Sequence, residues 1–354
     1  MTMDTGKPYA KDNEALRFPF AAAPAPGTLT DVAPGVKWLR MPLPFVALNH
    51  INLWVLDDGD GWTVVDTGVN TPETKHIWTD IFSGPLKHKP VKRIFCTHYH
   101  PDHIGLAGWL AETHKAPLWI TLGEMESARF SHGLTREIAG PAAGKVYIQA
   151  GLESAIPAAT AAHGGRYKSA VSDLPETYTV IDPALPVNAG GHAWRVVVGE
   201  GHSPQMATLY SDKIATLISG DQVLPGITPN VSVRDSQADA NPLKYFLDSL
   251  ERFRALPDET LVLPSHKLPF HGLRTRVDQL IRHHQDRLNV AREACRSGAT
   301  GGEVMKALFK RELDAHQMAF ALGETVAHLN FLVATGDIMR DQTPGGIYRY
   351  KTAA

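Results

Sequence analysis

One short stretch of the chain constrains its fold more than any other. Four candidate metal ligands crowd into residues 98–103, in the segment "FCTHYHPDHIGLAG": His98, His100, Asp102 and His103. They follow the apolar run "VKRIF", which is typical of a buried strand. An unpaired polar group costs roughly 2–7 kcal/mol to bury, so this cluster is not ordinary core. The segment therefore indicates a binding site at the end of a buried strand.

A proline sets the order of strand and helix in this segment. Pro101 disfavours helical geometry at His100, the residue before it. We therefore place His98 and His100 at the carboxyl end of the strand. Asp102 and His103 then open a helix that we predict over "DHIGLAGWLAETH", residues 102–114.

Similar groups follow other apolar strands, next to a Gly or Pro turn. They are Asp66 in "VVDTG", His202 in "GEGHSP", Asp221 in "SGDQ" and His266 in "PSH". In open α/β sheets, ligands gather outside the carboxyl ends of strands, so one shared site is expected. Imidazole and carboxylate suit zinc, iron or manganese, and no thiolate is required. Asp66 aside, the five histidines and two aspartates are too many for one tetrahedral zinc, and they would serve two metals with a bridging carboxylate and room for water.

The remaining pattern predicts an α/β protein with a helical insertion. Residues 1–34, rich in Pro and Ala, read as an extended surface arm. Strand and helix then alternate, which favours a layered α/β domain. Residues from about 123 to 175 interrupt the strands with helical composition, and Asn241 followed by Pro242 marks a further helix start. From about residue 273 the chain is mainly helical, up to a hairpin around Pro344–Gly346.

These motifs resemble the metallo-β-lactamase superfamily. "THYHPDH" matches its HxHxDH signature, and "GEGHSP", "SGDQ", "PSH" and "VVDTG" occur in the family's order. The resemblance covers roughly Val36 to His271. It implies a four-layer αββα sandwich over residues 35–272, with a dinuclear metal site at one edge.

The resemblance also implies a role for each candidate ligand. One metal would be held by His98, His100 and His202, and a second metal by Asp102, His103 and His266. Asp221 would bridge the two metals, and Asp66 would orient a ligand histidine or its loop. Asp102, Asp221 and His266 are the predicted catalytic residues. Because Asp221 stands where the commonest β-lactamases have cysteine, the chain looks more like glyoxalase II, lactonases and related hydrolases.

This site predicts a metal-dependent hydrolase. Two divalent cations, zinc first and iron or manganese as alternatives, would lower the pKa of a shared water from 15.7 to about 7. The resulting hydroxide would cleave a thioester, lactone or other ester in a small-molecule substrate. Phosphodiester cleavage by a nuclease-like site is an alternative, and so is redox chemistry at a single iron, as in relatives that act as sulfur dioxygenases.

The C-terminal segment, residues 273–354, resembles the winged-helix module found behind some β-lactamase-like catalytic domains. Such a module suggests a nucleic-acid-binding regulatory protein as a second functional class. Residues 286–354 hold nine Lys and Arg against eight Asp and Glu, however, and show no basic stripe. That balance favours a packing role or a homodimer interface over nucleic acid.

Composition narrows the remaining choices. The net charge is −2, so no strong field attracts nucleic acid or an anionic membrane. No apolar run approaches the roughly 18 residues of a membrane span, and no signal peptide is seen, which predicts a cytoplasmic protein. The sequence leaves open whether Tyr99 and His271 reach the substrate. It also leaves open whether the helical insertion is a lid over the metals or a brace.

Overall fold

The computed structural model describes residues 13, 15–44, 48–157 and 166–353. Its first sheet has seven strands in chain order: β1 (Leu29–Ala33), β2 (Val36–Pro42), β3 (His50–Asp57), β4 (Trp62–Val65), β5 (Val91–Phe95), β6 (Leu118–Ile120) and β7 (Thr179–Val180). Neighbours from β1 to β4 are antiparallel, and those from β4 to β7 are parallel.

The second sheet has five strands in the order β12-β11-β10-β9-β8. They are β8 (Val187–Ala189), β9 (His192–Gly199), β10 (Met206–Ser211), β11 (Thr216–Gly220) and β12 (Leu261–Pro264). Only the β11–β12 pair among them is parallel.

Ten α-helices lie in the described part of the chain: α1 (Pro72–Ser83), α2 (Pro101–Ile104), α3 (Ala107–His114), α4 (Leu122–Gly133), α5 (Arg136–Gln149), α6 (Arg166–Ala170), α7 (Pro242–Arg254), α8 (Leu273–Ala294), α9 (Gly301–Leu308) and α10 (Ala315–Ala334). The predicted helix start at Asn241 is confirmed, because its side chain accepts a hydrogen bond from the Lys244 N–H. None of the described helices combines the length and the apolar composition that crossing a bilayer requires.

The predicted α/β layering is confirmed by three buried clusters. Between the sheets, Trp54 of β3 packs with Trp194 of β9 and Leu263 of β12. The outer face of the first sheet is covered by a cluster that contains Trp78 of α1, and that of the second by one that contains Phe246 of α7. Side chains alternate across a strand, so each sheet can feed two clusters and form the two middle layers of an αββα sandwich.

Two predicted elements differ from the structure. The arm does not extend to residue 34, since β1 pairs with β2; residues 1–12 and 14 of the arm lie outside the described residues. The helix predicted over 102–114 is two helices, because Leu106 leaves helical geometry and donates its N–H to the Thr67 hydroxyl. A Cβ on Gly105 would lie 2.5 Å from the Gly68 carbonyl oxygen, so this break also needs a glycine.

The C-terminal helices pack on the predicted insertion. Tyr147 of α5, Met305 of α9 and Leu322 of α10 share one buried cluster. The predicted terminal hairpin is confirmed as β14 (Ile338–Gln342) and β15 (Tyr348–Thr352), which form a small sheet with β13 (Ala299–Thr300). The C-terminal segment therefore packs against the insertion.

Candidate metal centre

Strand ends bring the predicted ligands to one edge of the sandwich. β5 ends at Phe95, three residues before His98, and β9 ends at Gly199, three residues before His202. Asp221 directly follows β11, and His266 comes two residues after β12. β4 is parallel to β5 in the first sheet and β11 to β12 in the second, so the carboxyl ends of each pair lie at one edge of their sheet. The ligand atoms from the two sheets approach one another at these edges.

Pro101 acts on the local backbone as predicted. His100 is extended, with φ −62° and ψ 147°, and α2 begins at Pro101. His100 therefore stays with the strand end, while Asp102 and His103 lie in the first turn of α2. One six-residue stretch thus presents its side chains to two different groups of ligands.

The first group is His98, His100 and His202, whose candidate ligand atoms all lie within 4.8 Å of one another. His98 Nε2 lies 2.9 Å from His100 Nδ1. Asp102, His103 and His266 form a second group within the same limit. In that group Asp102 Oδ2 is 3.4 Å from His266 Nε2 and 3.8 Å from His103 Nε2.

Asp221 lies between the two groups. Its Oδ2 is 3.5 Å from His202 Nε2 in the first group. Its Oδ1 is 3.5 Å from His103 Nε2 and 3.4 Å from His266 Nε2 in the second. The two carboxylate oxygens therefore face different groups, which is the arrangement expected of a bridging ligand.

Hydrogen bonds fix the imidazole rings from behind. The Nδ1 atoms of His202 and His266 donate to the carbonyl oxygens of Asn230 (2.8 Å) and His50 (2.9 Å). His103 Nδ1 donates to Asp66 Oδ2 at 2.8 Å, so Asp66 orients a candidate ligand as the resemblance implied. A proton on Nδ1 leaves Nε2 free of one and able to bind a metal.

The donor set fits divalent cations. Four of its buried atoms have no hydrogen-bond partner in the described part of the chain: His103 Nε2, His202 Nε2, His266 Nε2 and Asp221 Oδ1. Buried polar atoms are nearly always satisfied, and a cation would satisfy these four together. All seven predicted ligands are thus brought into groups of nitrogen and oxygen donors that suit zinc, iron or manganese.

In the first group, burial keeps the imidazoles neutral. It lowers the pKa of His98 and His100 well below the ordinary value, with the neighbouring imidazoles acting in the same direction. Burial also lowers the pKa of His202 to about 4, although Asp221 opposes this shift. Neutral imidazole is the form that ligates a metal.

Carboxylates decide the charge in the second group. Burial disfavours the charged form of His266, but Asp221 and Asp102 outweigh it and raise the pKa to about 9. The pKa of His103 is raised in the same way, against burial, by Asp66, Asp102 and Asp221. The three carboxylates therefore stabilise positive charge next to them. A bound cation would supply that charge and displace the protons from His103 and His266.

Sequence reasoning missed several residues that hold the site together. Asn52 of β3 is buried and donates to the carbonyl oxygens of Pro264 and Lys267, which anchors the His266 loop. Glu124 of α4 is also buried and accepts hydrogen bonds from the loops that carry His100 and His202. A polar residue inside the apolar strand "NHINLWVL" was a usable signal for Asn52, whereas no local pattern singles out Glu124.

A cavity of about 670 Å³ opens beside the first ligand group. His100 and His202 line it. Tyr99, for which the sequence left contact with the substrate open, lines it as well. Its apolar wall combines the insertion, α7 and α10 through Phe130, Leu134, Tyr245 and Phe320. His271 does not line this cavity, and its Nδ1 forms a hydrogen bond with the Glu259 carbonyl oxygen.

Comparisons with known proteins agree with this geometry. Residues 47–266 match the family described as Metallo-beta-lactamase superfamily, and residues 288–353 match one described as Metallo-beta-lactamase-like, C-terminal domain. The chain belongs to the metallo-β-lactamase superfamily. It is therefore a metallo-hydrolase of that fold, and members of the superfamily generally bind divalent metals.

Similar proteins come from several bacteria. A β-lactamase domain protein of Burkholderia ambifaria is 42% identical, with 97% of this chain and 100% of that one covered and a TM-score of 0.89. The metallo-β-lactamase family protein TTHA1429 of Thermus thermophilus is 27% identical, with 90% and 99% covered and a TM-score of 0.75. The probable metallo-hydrolase YqjP of Bacillus subtilis (strain 168) is 24% identical over 84% of this chain and 91% of its own length.

Proposed function

We propose that this protein hydrolyses a thioester, lactone or other ester of a small molecule with the help of two divalent cations, zinc first and iron or manganese as alternatives. The observation that carries the proposal is the convergence of the two ligand groups on Asp221, next to a cavity with an apolar wall. His98, His100 and His202 would hold one cation. Asp102, His103 and His266 would hold the other, and Asp221 would contact both.

When bound, the cations supply a Lewis acid for the scissile carbonyl and lower the pKa of water to about 7. The rest of the task falls to the protein. The Asn230 and His50 carbonyl oxygens and the Asp66 carboxylate hold the rings of His202, His266 and His103, so that the Nε2 atom of each faces the site. Asp102 is the most exposed of the three site carboxylates and is placed to accept a hydrogen bond from water and orient it.

The lining of the cavity supports the proposal of an acyl substrate. Phe130, Leu134, Tyr245 and Phe320 offer apolar surface for an acyl chain, at a rate of about 25 cal/mol for each Å² removed from water. His100 and His202 line this cavity, whereas the second group does not, so substrate would reach the first group. The insertion and α10 would then act as the specificity walls, which is the common role of segments beside a rigid scaffold.

A metal analysis followed by a substrate panel tests the proposal. Purified protein is assayed with thioesters, lactones, β-lactams and phosphodiesters, with and without a chelator. We expect acyl hydrolysis that the chelator abolishes, and at least a roughly 100-fold loss of kcat/KM in His100→Ala and Asp221→Ala. His76→Ala and Asp60→Ala, at exposed positions, are matched controls that should retain activity.

Two results would reject the proposal. One is full activity in His100→Ala or Asp221→Ala. The other is cleavage of phosphodiesters with no turnover of any acyl compound, which would move the assignment to the nuclease alternative.

A further inference from the structure

Glu124 lies behind the candidate metal centre, outside the predicted ligand set. It belongs to the first turn of α4, at the start of the insertion, and its side chain is fully buried. Its carboxylate accepts three hydrogen bonds: from the Tyr99 N–H at 3.0 Å, the Ser203 hydroxyl at 2.7 Å and the Gln205 N–H at 2.7 Å. Two of the partners are backbone N–H groups, which can only donate, so these contacts favour the ionised form of the carboxylate.

These partners belong to the two loops that carry the first ligand group. Tyr99 is the residue between His98 and His100, and Ser203 directly follows His202. Oε2 contacts one loop and Oε1 contacts the other. A single side chain thus spans the distance between the two loops that supply His98, His100 and His202.

The surroundings support a charged Glu124 at this depth. Burial raises the pKa of the Glu124 carboxyl, while its three donors and the Arg234 guanidinium act in the opposite direction. Arg234 stacks over the Tyr99 ring at 4.6 Å and donates to the Ser127 hydroxyl one turn along α4. A buried carboxylate is costly unless it is hydrogen-bonded and compensated, and here it is both.

We propose that Glu124 is a positioning residue that sets the affinity of the first cation site by fixing the His98–His100 loop against the His202 loop. The inference rests on the ligand set proposed above. The three hydrogen-bond donors, Tyr99, Ser203 and Gln205, flank the ligands of the first group. His103 and His266 of the second group are held instead by Asp66 and by the His50 carbonyl oxygen, so the second site should lose less affinity. Groups that orient metal ligands typically change metal affinity about 10- to 100-fold when they are replaced.

Zinc binding tests the proposal without any substrate. The whole chain is stripped of metal and titrated with Zn²⁺ against a chromophoric chelator. Glu124→Gln keeps the shape of the side chain but turns an NH₂ group toward a donor in one of the two loops. We expect at least about tenfold weaker binding of one zinc ion, and the weakened step should be the one lost in His100→Ala. Glu126→Gln, at an exposed position on the same helix, is the matched control and should bind zinc as the wild type does.

A milder variant covers the case in which Glu124→Gln does not fold. Ser203→Ala removes one of the three donors, and it should weaken the same zinc step by a smaller factor. Where both variants fold, their effects should be less than additive, because both act through one carboxylate.

The outcomes separate this inference from the proposed function. Wild-type protein that holds two zinc ions, with Ser203→Ala and any folded Glu124→Gln holding both as tightly, would overturn the positioning role and leave the ligand set standing. Weakening of both steps alike would also overturn it, since a general structural role predicts that result. Wild-type protein that takes up no zinc would overturn the ligand set together with this inference.

Discussion

Asp66 combines an unusual backbone conformation with contacts that support the candidate metal centre. Its φ is 61°, in the left-handed region that few residues other than glycine adopt, although Asp and Asn tolerate it. In this conformation its carboxylate accepts hydrogen bonds from the Thr97 N–H at 2.8 Å and from His103 Nδ1 at 2.8 Å. The strained backbone of Asp66 thus accompanies contacts that orient the His103 ring and fix Thr97, the residue before His98.

Asp66→Asn should therefore weaken the second metal site selectively. Asparagine tolerates the same φ, but its NH₂ group would face either the Thr97 N–H or the His103 N–H. We expect about 10- to 100-fold weaker binding of one zinc ion, measured by chelator competition. Asp60→Asn, at an exposed turn, should bind zinc normally. Equal zinc affinities in the Asp66 variant and the wild type would contradict the orienting role.

At the scale of elements, the insertion is both a brace and a wall. Tyr147 of α5 is buried against the C-terminal helices, whereas Phe130 and Leu134 at the end of α4 line the cavity. The sequence left a lid and a brace as alternatives; in the structure α5 packs against the C-terminal helices, and the end of α4 lines the cavity. The wall beside the ligands is the part that should select the acyl group.

Leu134→Ala should raise KM for acyl substrates without loss of metal. Removing apolar wall costs about 1 kcal/mol of binding, which corresponds to roughly a fivefold higher KM for a long acyl chain and less for a short one. The check is steady-state kinetics across a series of chain lengths, with zinc content measured in parallel. Leu185→Ala, at an exposed leucine away from the cavity, is the control. An identical KM across the series in both variants would exclude this wall from substrate binding.

The α8–α10 contact holds a buried histidine pair. His284 Nδ1 lies 3.3 Å from His328 Nε2, and His328 Nδ1 donates to the Glu324 carbonyl oxygen. Burial lowers the pKa of His328 to about 4 and that of His284 well below its ordinary value. Both rings are therefore neutral in the folded protein at neutral pH, and the contact depends on that state.

Acid should weaken this contact in a predictable direction. The unfolded His328 ring takes up a proton below about pH 6.5, while the folded one does so only near pH 4, so stability is lost as the pH falls between these values. For His328 alone the loss from about pH 7 to about pH 5 is about 2 kcal/mol. Urea unfolding at both pH values should show a smaller loss in His328→Gln and an unchanged one in the exposed control His76→Gln. Identical losses in His328→Gln and the wild type would contradict the prediction.

At the scale of the whole molecule, the candidate centre joins the two sheets. His98, His100 and His103 follow a strand of the first sheet, whereas His202, Asp221 and His266 follow strands of the second. Cations bound by both sets would cross-link the sandwich at one edge. They would also compensate the buried carboxylates that otherwise repel each other there.

Metal removal should therefore lower the stability of the entire chain. A ligand that binds only the folded state stabilises it by about 4 kcal/mol when present at about 1,000 times its Kd. We expect EDTA to lower the thermal midpoint and added zinc to restore it, by calorimetry. Asp221→Asn should respond far less to either treatment, while Asp60→Asn should respond as the wild type does. A wild-type midpoint that EDTA leaves unchanged would argue against a cross-linking metal.

The sequence by itself predicted the candidate ligands and determined the α/β layering. Pro101 separated strand from helix, Gly and Pro turns marked the strand ends, and the alternation of strands and helices indicated the α/β class. These features are local, because backbone sterics and side-chain periodicity act over a few neighbouring residues. The resemblance on the HxHxDH motif then implied the order of the sandwich.

Only the tertiary structure decided which distant groups support those ligands. Asn52 and Glu124 act on loops far from them in the chain, and the cavity wall unites the insertion with α10. Contacts between such distant residues depend on how the layers pack. They produce no periodic pattern in a single sequence that would predict them. The break at Leu106 was missed for the same reason, since its partner Thr67 is far away in the chain. The pairing of β1 with β2 is local, and it was missed because the Pro- and Ala-rich residues before it are typical of an extended arm.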